Sequence, residues 1–344
     1  AKSAPIEFVP HHLESVRQRV ALTLPHPGGV QATIDQAIWA EERGFDDLWF
    51  ADAGGLDALT TAVAVAAFTS RVRLGVAIVP VYNRTPAVFA STTHVLNQVS
   101  NGRFILGLGS SSHVINEKWH GQKMDKPLTR VKETTLLVRE ILAGQRSNFD
   151  GETVSSHGYS QPPVEAGSQP IYIAALRGKM LEMAAEYGDG VILNLYPQDV
   201  LPKIMEHIRI GAERGGKSLS DVEVVCRHLV YGTDDKQAAR DCFRASHTPY
   251  YATPVYIKFL DWAGYEGVAD TISQGFAEKD RKKTATALED ELIDKIIIAG
   301  TAEECQERIR EYADGGVTTH IIASGSPNLM DATNEAFTRD NFWL

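Results

Sequence analysis

Apolar positions in this chain follow two rhythms that alternate along its length. Short runs of nearly continuous apolar residues have the length and content of strands buried on both faces. They are Arg19 to Thr23, Asp47 to Ala51, Val72 to Pro80, Arg103 to Leu108, Pro170 to Ala175, Gly190 to Leu195, Val222 to Val230 and His320 to Ala323. Between them lie longer stretches with apolar residues three or four apart, the spacing of a helix with one face on a core. Thr33 to Arg43 carries Ile34, Ala37, Ile38 and Ala40 in this way, and Pro86 onward repeats it with Val88, Val95, Leu96 and Val99. Asp57 to Thr69, Thr129 to Ala143, Lys179 to Tyr187 and Pro202 to Arg214 also read as helices. Gly44, Asn101-Gly102 and Gly315-Gly316 stand where helices stop, and Thr301 with Glu304 forms a capping box for a helix to Asp314. Eight strands alternating with helices predict a parallel α/β fold, a (β/α)8 TIM barrel.

Three stretches break the alternation: 110–128, 144–169 and 261–290, the last charged and with little periodicity. They read as insertions at the C-terminal face, where barrel chemistry is found. Residues 1–18 read as an extension docked on the outside, and the whole chain, 1–344, as one barrel domain. Asp235 to Leu260 begins helically.

Composition narrows the functional classes. With 44 acidic against 34 basic residues, a net charge of -10 argues against a general nucleic-acid or membrane-surface binder. A small-molecule ligand needs only a few local cations. Three scattered cysteines, Cys226, Cys242 and Cys305, give no disulfide framework or zinc site and suit a reducing, cytoplasmic setting. The first residues lack the apolar core of a secretory signal. Walker, HExxH, GxSxG and GxGxxG motifs are absent.

Polar and small residues gather after the strands. Gly107-Leu108-Gly109-Ser110-Ser111-Ser112 leaves backbone N–H groups open to an anion or a carbonyl-rich ring, and His113, Asn116 and Glu117 follow it. Ala174, Ala175, Leu176, Arg177, Gly178 and Lys179 combine close backbone approach, a helix start and two cations. Asp52 ends the second strand as a candidate proton carrier or substrate anchor, and His113 is a candidate proton relay. Tyr82 and Arg84 suit a pocket wall. His228, His94 and Cys226 read as packing residues.

The run LGVAIVPVYNRTP from Leu74, with LNQVSNGRFILGLGSS from Leu96, resembles the third and fourth strands of the luciferase-like superfamily, specifically its deazaflavin (F420)-dependent branch. IYIAALRGKMLEMAAEYGDGVILN from Ile171 is similar to its fifth and sixth strands. The resemblance implies a (β/α)8 barrel with a bulge and a non-proline cis bond at Ala77-Ile78, placing Ala77, Ile78 and Val79 against the flavin. It also implies a phosphate grip by Ala174 to Lys179 and cofactor contacts from Ser110, Ser111 and Asn116. The activity implied is hydride transfer between F420 and a small organic substrate, with His113 and Asp52 as catalytic residues and a homodimer as the assembly. An FMN-dependent monooxygenase and a non-catalytic flavin-binding barrel remain the alternatives. Ala53 stands where sugar-phosphate dehydrogenases of the family carry a histidine, and Asn194-Leu195-Tyr196 where they carry a phosphate-binding lysine. Both departures argue against glucose-6-phosphate as substrate.

Overall fold

The computed structural model describes residues 17–165 and 169–344. Most of the expected N-terminal extension therefore lies outside the described residues. Eight parallel strands form the ring: β1 (Arg19–Leu24), β2 (Asp47–Phe50), β3 (Arg73–Val76), β4 (Phe104–Gly109), β5 (Ile171–Ala174), β6 (Gly190–Asn194), β7 (Glu223–Gly232) and β8 (Thr319–Ser324). Each pairs with its sequence neighbours, and β8 returns to β1 from Arg19↔Thr319 to Leu22↔Ile322. That last pairing closes the barrel and removes both sheet edges.

The long apolar runs are explained by two cores, one on each face of the strands. Outward residues such as Leu22, Leu48, Leu74, Leu106, Ile173 and Val224 pack beneath the helices. Inward residues form a second, smaller core of Ala21, Trp49, Ile105, Tyr172, Ile192, Val225 and Ile321. Trp49 fills so much of this space that a Cβ on Gly75 would stand 2.4 Å from its ring. Below this layer the inward row turns polar. Arg73 donates to Asp47 at 2.8 and 2.6 Å and to Glu223 at 3.1 and 2.7 Å, and Tyr172 and Thr319 also donate to Glu223. The barrel is thus plugged at its base and middle, so a ligand can enter only from the opposite end.

The crossover helices are α1 (Val30–Glu42), α2 (Ala58–Phe68), α3 (Pro86–Val99), α4 (Pro127–Leu142), α5 (Gly178–Tyr187) and α6 (Leu201–Arg214). Asp57 caps α2 by accepting from the Thr60 N–H, and Thr85 caps α3 by accepting from Val88, with Pro86 in the first turn. After β7 come α7 (Lys236–Tyr251), α8 (Pro254–Ala263), α9 (Glu266–Ala277), α10 (Arg281–Thr286) and α11 (Asp290–Ile296), then α12 (Ala302–Asp314) and α13 (Met330–Glu335). The capping box of Thr301 and Glu304 forms as the sequence implies.

Three expectations need correction. Segment 261–290 is helical rather than irregular, because Phe243, Tyr251, Leu260, Ala269, Ile272, Leu288 and Ile293 build a core of their own. Its small members among many charges weaken the helical period. Segment 144–169 joins α4 to β5, so it lies on the αβ side of the barrel, not at the C-terminal face. It folds as a hairpin of Asn148–Asp150 with Ser155–His157, held to α4 by Glu133, which accepts from the N–H groups of Glu152 and Thr153. The third strand, expected from Val72 to Pro80, ends at Val76 and resumes for two residues, Val79–Pro80, beside β4. The bond between Ala77 and Ile78 is cis, at the position the resemblance implies.

Candidate active site at the barrel mouth

Above the Trp49 layer the inward row opens to solvent. Ala51, Ala77, Ile78, Ala174, Asn194 and Arg227 are each only partly buried, although the strand residues beneath them are buried. On the side of β2 to β5 these residues are apolar, and all but Ile78 are small. A Cβ on Gly109 would lie 2.8 Å from the Ile78 side chain and 3.3 Å from the Ala174 Cβ, so bulge, glycine and alanine meet as one flat apolar wall. A planar ring can lie against such a wall. A larger side chain at any of these positions would fill the space.

Ala174 runs into Ala175 and Leu176, and Arg177 is the N-cap of α5 without a side-chain hydrogen bond to the helix. Gly178, at φ +27°, has only the Trp262 Nε1 within 4 Å of a notional Cβ, at 3.8 Å. An uncapped helix start beside Arg177 and Lys179 is electropositive and accessible, which fits a phosphate.

The loop after β4 is more ordered than its polar sequence suggests. Ser111 takes a left-handed conformation at φ +58°, and Val114–Trp119 forms a single π-helical turn. Asn116 is fully buried and donates to the Ser110 carbonyl at 2.7 Å, while its Oδ1 has no partner among the described residues. It braces the serine loop from below rather than lining the mouth. His113 sits on the rim, half exposed, with Nδ1 3.4 Å from Glu117 Oε1. Glu117 accepts from the Met124 N–H, and this bond with the His113 contact holds its carboxyl below the usual range. Trp119 lies over Gly54, and Tyr82 donates to the Asp125 carbonyl at 2.6 Å, tying the loops after β2, β3 and β4 together.

Asp52 does reach the mouth, but both carboxylate oxygens are engaged. Oδ1 accepts from the Ala58 N–H at 3.2 Å and Oδ2 from Arg84 at 3.0 Å. Arg84 also holds Asp57, so one arginine joins the end of β2 to the start of α2. Val79 is fully buried. Of the residues expected to bind or react, Ala77, Ile78, Ser110, Ser111, Ala174 and Leu176 to Lys179 surround one opening. Ala175, like Val79, is packed away from it.

Residues 13–319 match the luciferase-like monooxygenase family. The chain belongs to the luciferase-like family. It is 31% identical over 294 residues to the 5,10-methylenetetrahydromethanopterin reductase of Archaeoglobus fulgidus, covering 84% of this chain and 87% of that one. Among solved structures it resembles the coenzyme F420-dependent tetrahydromethanopterin reductase of Methanopyrus kandleri, with a TM-score of 0.77 at 20% identity over 92% of this chain and 96% of that one. An F420-dependent secondary alcohol dehydrogenase in complex with an F420-acetone adduct gives a TM-score of 0.73 at 18% identity, with the same coverage of 92% and 96%. These likenesses establish the fold of this luciferase-like protein.

Two groups at the mouth had no sequence signal strong enough to single out their role. Arg227 is hidden in the apolar run VEVVCRHLV, where only its two-residue spacing from Val225 shows that it faces inward. Trp262 approaches the α5 start from α8, a contact that no local pattern announces. His228, by contrast, is a core histidine as expected, buried against Tyr312 with ring centroids 4.5 Å apart.

Proposed function

We propose that this protein is an F420-dependent oxidoreductase that moves a hydride between the deazaflavin and a small organic substrate. The observation that carries this reading is the wall of Ile78, Gly109 and Ala174, which ends beside the uncapped start of α5. The relatives at 31% identity, 5,10-methylenetetrahydromethanopterin reductases, favour F420 over FMN. When bound, the deazaflavin supplies or accepts hydride at its C5. The chain's own work is to hold, shield and protonate. Ala77, Ile78, Gly109 and Ala174 would carry the ring face, and Ser110 and Ser111 its polar edge. Arg177, Gly178 and Lys179 would hold the phosphate. Trp119 and Tyr82 would limit water at the rim. His113, on the rim loop, would pass the proton that accompanies reduction or oxidation of a C=O, C=N or C=C bond. Asp52, fixed by Arg84, would orient the substrate.

The test is a fluorescence titration of the purified protein with F420 and with FMN. F420 binding at least tenfold tighter than FMN is the expected result. Tighter FMN binding would favour a flavin monooxygenase instead. Replacing Gly178 by leucine should weaken F420 through its phosphate, since the added side chain would occupy the approach beside Trp262.

We also propose that two copies pair through α2 and α3. Phe68, Val88, Val95 and Val99 are exposed on these two helices, and such an apolar cluster suits a second copy better than water.

A further inference from the structure

Arg227 has no task in the reading above, yet its setting calls for one. It is the single partly accessible residue of β7 between Glu223 and Tyr231, on the inward row two residues above Val225. Its Nε is buried without a hydrogen-bond partner, and among the described residues its guanidinium enters no ion pair. Arg73, the arginine at the base of the same barrel, shows the contrast, being saturated by Asp47 and Glu223. A buried cation left unpaired is costly, and where it opens on a ligand cavity the natural partner is the ligand's own anion.

The neighbouring strand repeats the signal. Asn194 is the register partner of Arg227 across β6 and β7, is likewise the partly accessible residue of its strand, and has a buried Oδ1 with no partner. Two adjacent inward groups are therefore unsatisfied, one needing an acceptor and the other a donor. The phenols of Tyr250 and Tyr256 and the imidazole of His247, from α7 and α8, lie near enough to interact electrostatically with Arg227. Burial and the Arg227 charge keep His247 neutral, pulling it down to about 4, so it adds no second cation. One cation with neutral neighbours matches a monoanion. A phosphate dianion would leave charge uncompensated.

Position decides which molecule supplies the anion. β7 is four strands from β3 in a ring of eight, so Arg227 faces the Ala77-Ile78 bulge across the mouth. A ring lying against the bulge leaves its free face toward Arg227, where the substrate must sit. We propose that Arg227 and Asn194 form the substrate-recognition site, and that the substrate is a small carboxylate with a hydrogen-bond donor, a hydroxyl or amine, next to the carboxyl group. The carboxylate accepts from Arg227 and the adjacent donor bonds the Asn194 Oδ1. This placement rests on the F420 reading for the position of the ring.

The experiment uses F420-saturated protein titrated with lactate, propanoate and propanamide, followed by F420 fluorescence and by thermal shift. Thermal shift is repeated without F420, so that a failure of the cofactor reading is seen separately as an absent F420 signal. Wild type should bind lactate more tightly than propanoate and propanoate at least tenfold more tightly than propanamide. Arg227→Met should lose the carboxylate preference, with Arg227→Lys recovering part of it, while F420 affinity changes less than twofold. Asn194→Leu should abolish the preference for lactate over propanoate only. Circular dichroism melts of all three variants report their folding, and if Arg227→Met does not fold, the Lys and Leu variants decide. Equal binding of propanoate and propanamide by wild type would overturn the proposal. A loss of F420 affinity in Arg227→Met would also overturn it, since the arginine would then serve the cofactor's anionic tail.

Discussion

Arg73 on β3 and Glu223 on β7 join opposite walls of the barrel by two hydrogen bonds of 3.1 and 2.7 Å across its base. Burial alone would raise the Glu223 carboxyl, but the Arg73 charge and hydrogen bonds from Arg73, Thr319 and Tyr172 outweigh it and lower it to about 2. Arg73→Met leaves Asp47 and Glu223 both charged and buried, so it should cost about 3–5 kcal/mol in urea unfolding, and Glu223→Gln, which leaves Arg73 its Asp47 partner, should cost less. Wild-type stability from this pair is fully present above about pH 4.5 and is lost as pH falls toward 2. In Glu223→Gln that part of the acid loss should vanish.

A second pH dependence comes from the outer layer. Tyr196 donates to Cys226 at 3.5 Å, Cys226 meets His228 Nδ1 at 3.6 Å, His228 Nε2 meets His320 Nδ1 at 3.1 Å, and His320 Nε2 meets Gln18 Oε1 at 2.9 Å. Gln18 spends its amide N–H on the Val317 carbonyl at 3.0 Å, so its Oε1 must accept. With both imidazoles neutral, that sets the direction of every bond. Burial holds His320 down to about 3 and His228 well below its ordinary value, with the two rings opposing each other's protonation. The unfolded chain binds these protons first, so stability should fall as pH drops below about 6.5, by up to about 1.4 kcal/mol per pH unit for each histidine. Thermal melts from pH 7 to 5 should show this slope in wild type. A His228→Asn, His320→Asn double variant, even if less stable throughout, should lose most of it, the remainder coming from His247, which burial holds down to about 4.

The proton relay is tested at His113. Its imidazole is half exposed and, among the described residues, its one polar partner is Glu117, so His113→Asn should leave F420 affinity and the melting temperature nearly unchanged. Turnover should drop by roughly 10² to 10⁴ fold, the range for a general acid or base. Wild-type turnover in this variant would pass the role to Asp52 or to water.

Pairing of copies is tested at Val95, exposed on α3. Val95→Lys should convert a dimer to a monomer in sedimentation velocity at micromolar concentration, with its circular dichroism unchanged. A wild-type protein already monomeric at that concentration would remove α2 and α3 as an interface.

The barrel was legible because its strands are buried on both faces, which forces continuous apolar runs such as Phe104 to Leu108 and Val191 to Leu193. Helix ends were legible where a side chain acts locally, as at Thr85 and Thr301. The α8 to α10 segment was not, since its core is built from Ala269, Gly275 and Ala287 as much as from larger residues. The bulge at Ala77 and Ile78 came from family resemblance, not from any local pattern. The Asn194 and Arg227 pair depends on the register between two strands, a relation that neither strand's sequence contains.

β7 carries Glu223 and Arg227 on one row, four residues apart in an unbroken strand. At about 3.3 Å per residue the strand acts as a ruler of roughly 13 Å from the sealed base to the open mouth. Because Glu223 is fastened below by three other strands, the height and facing of the guanidinium above are set at the far end of the barrel. Inserting a single residue between them would turn Arg227 toward the helices and bring an apolar neighbour to the mouth. Selectivity at the opening is in this sense a measurement made from the floor.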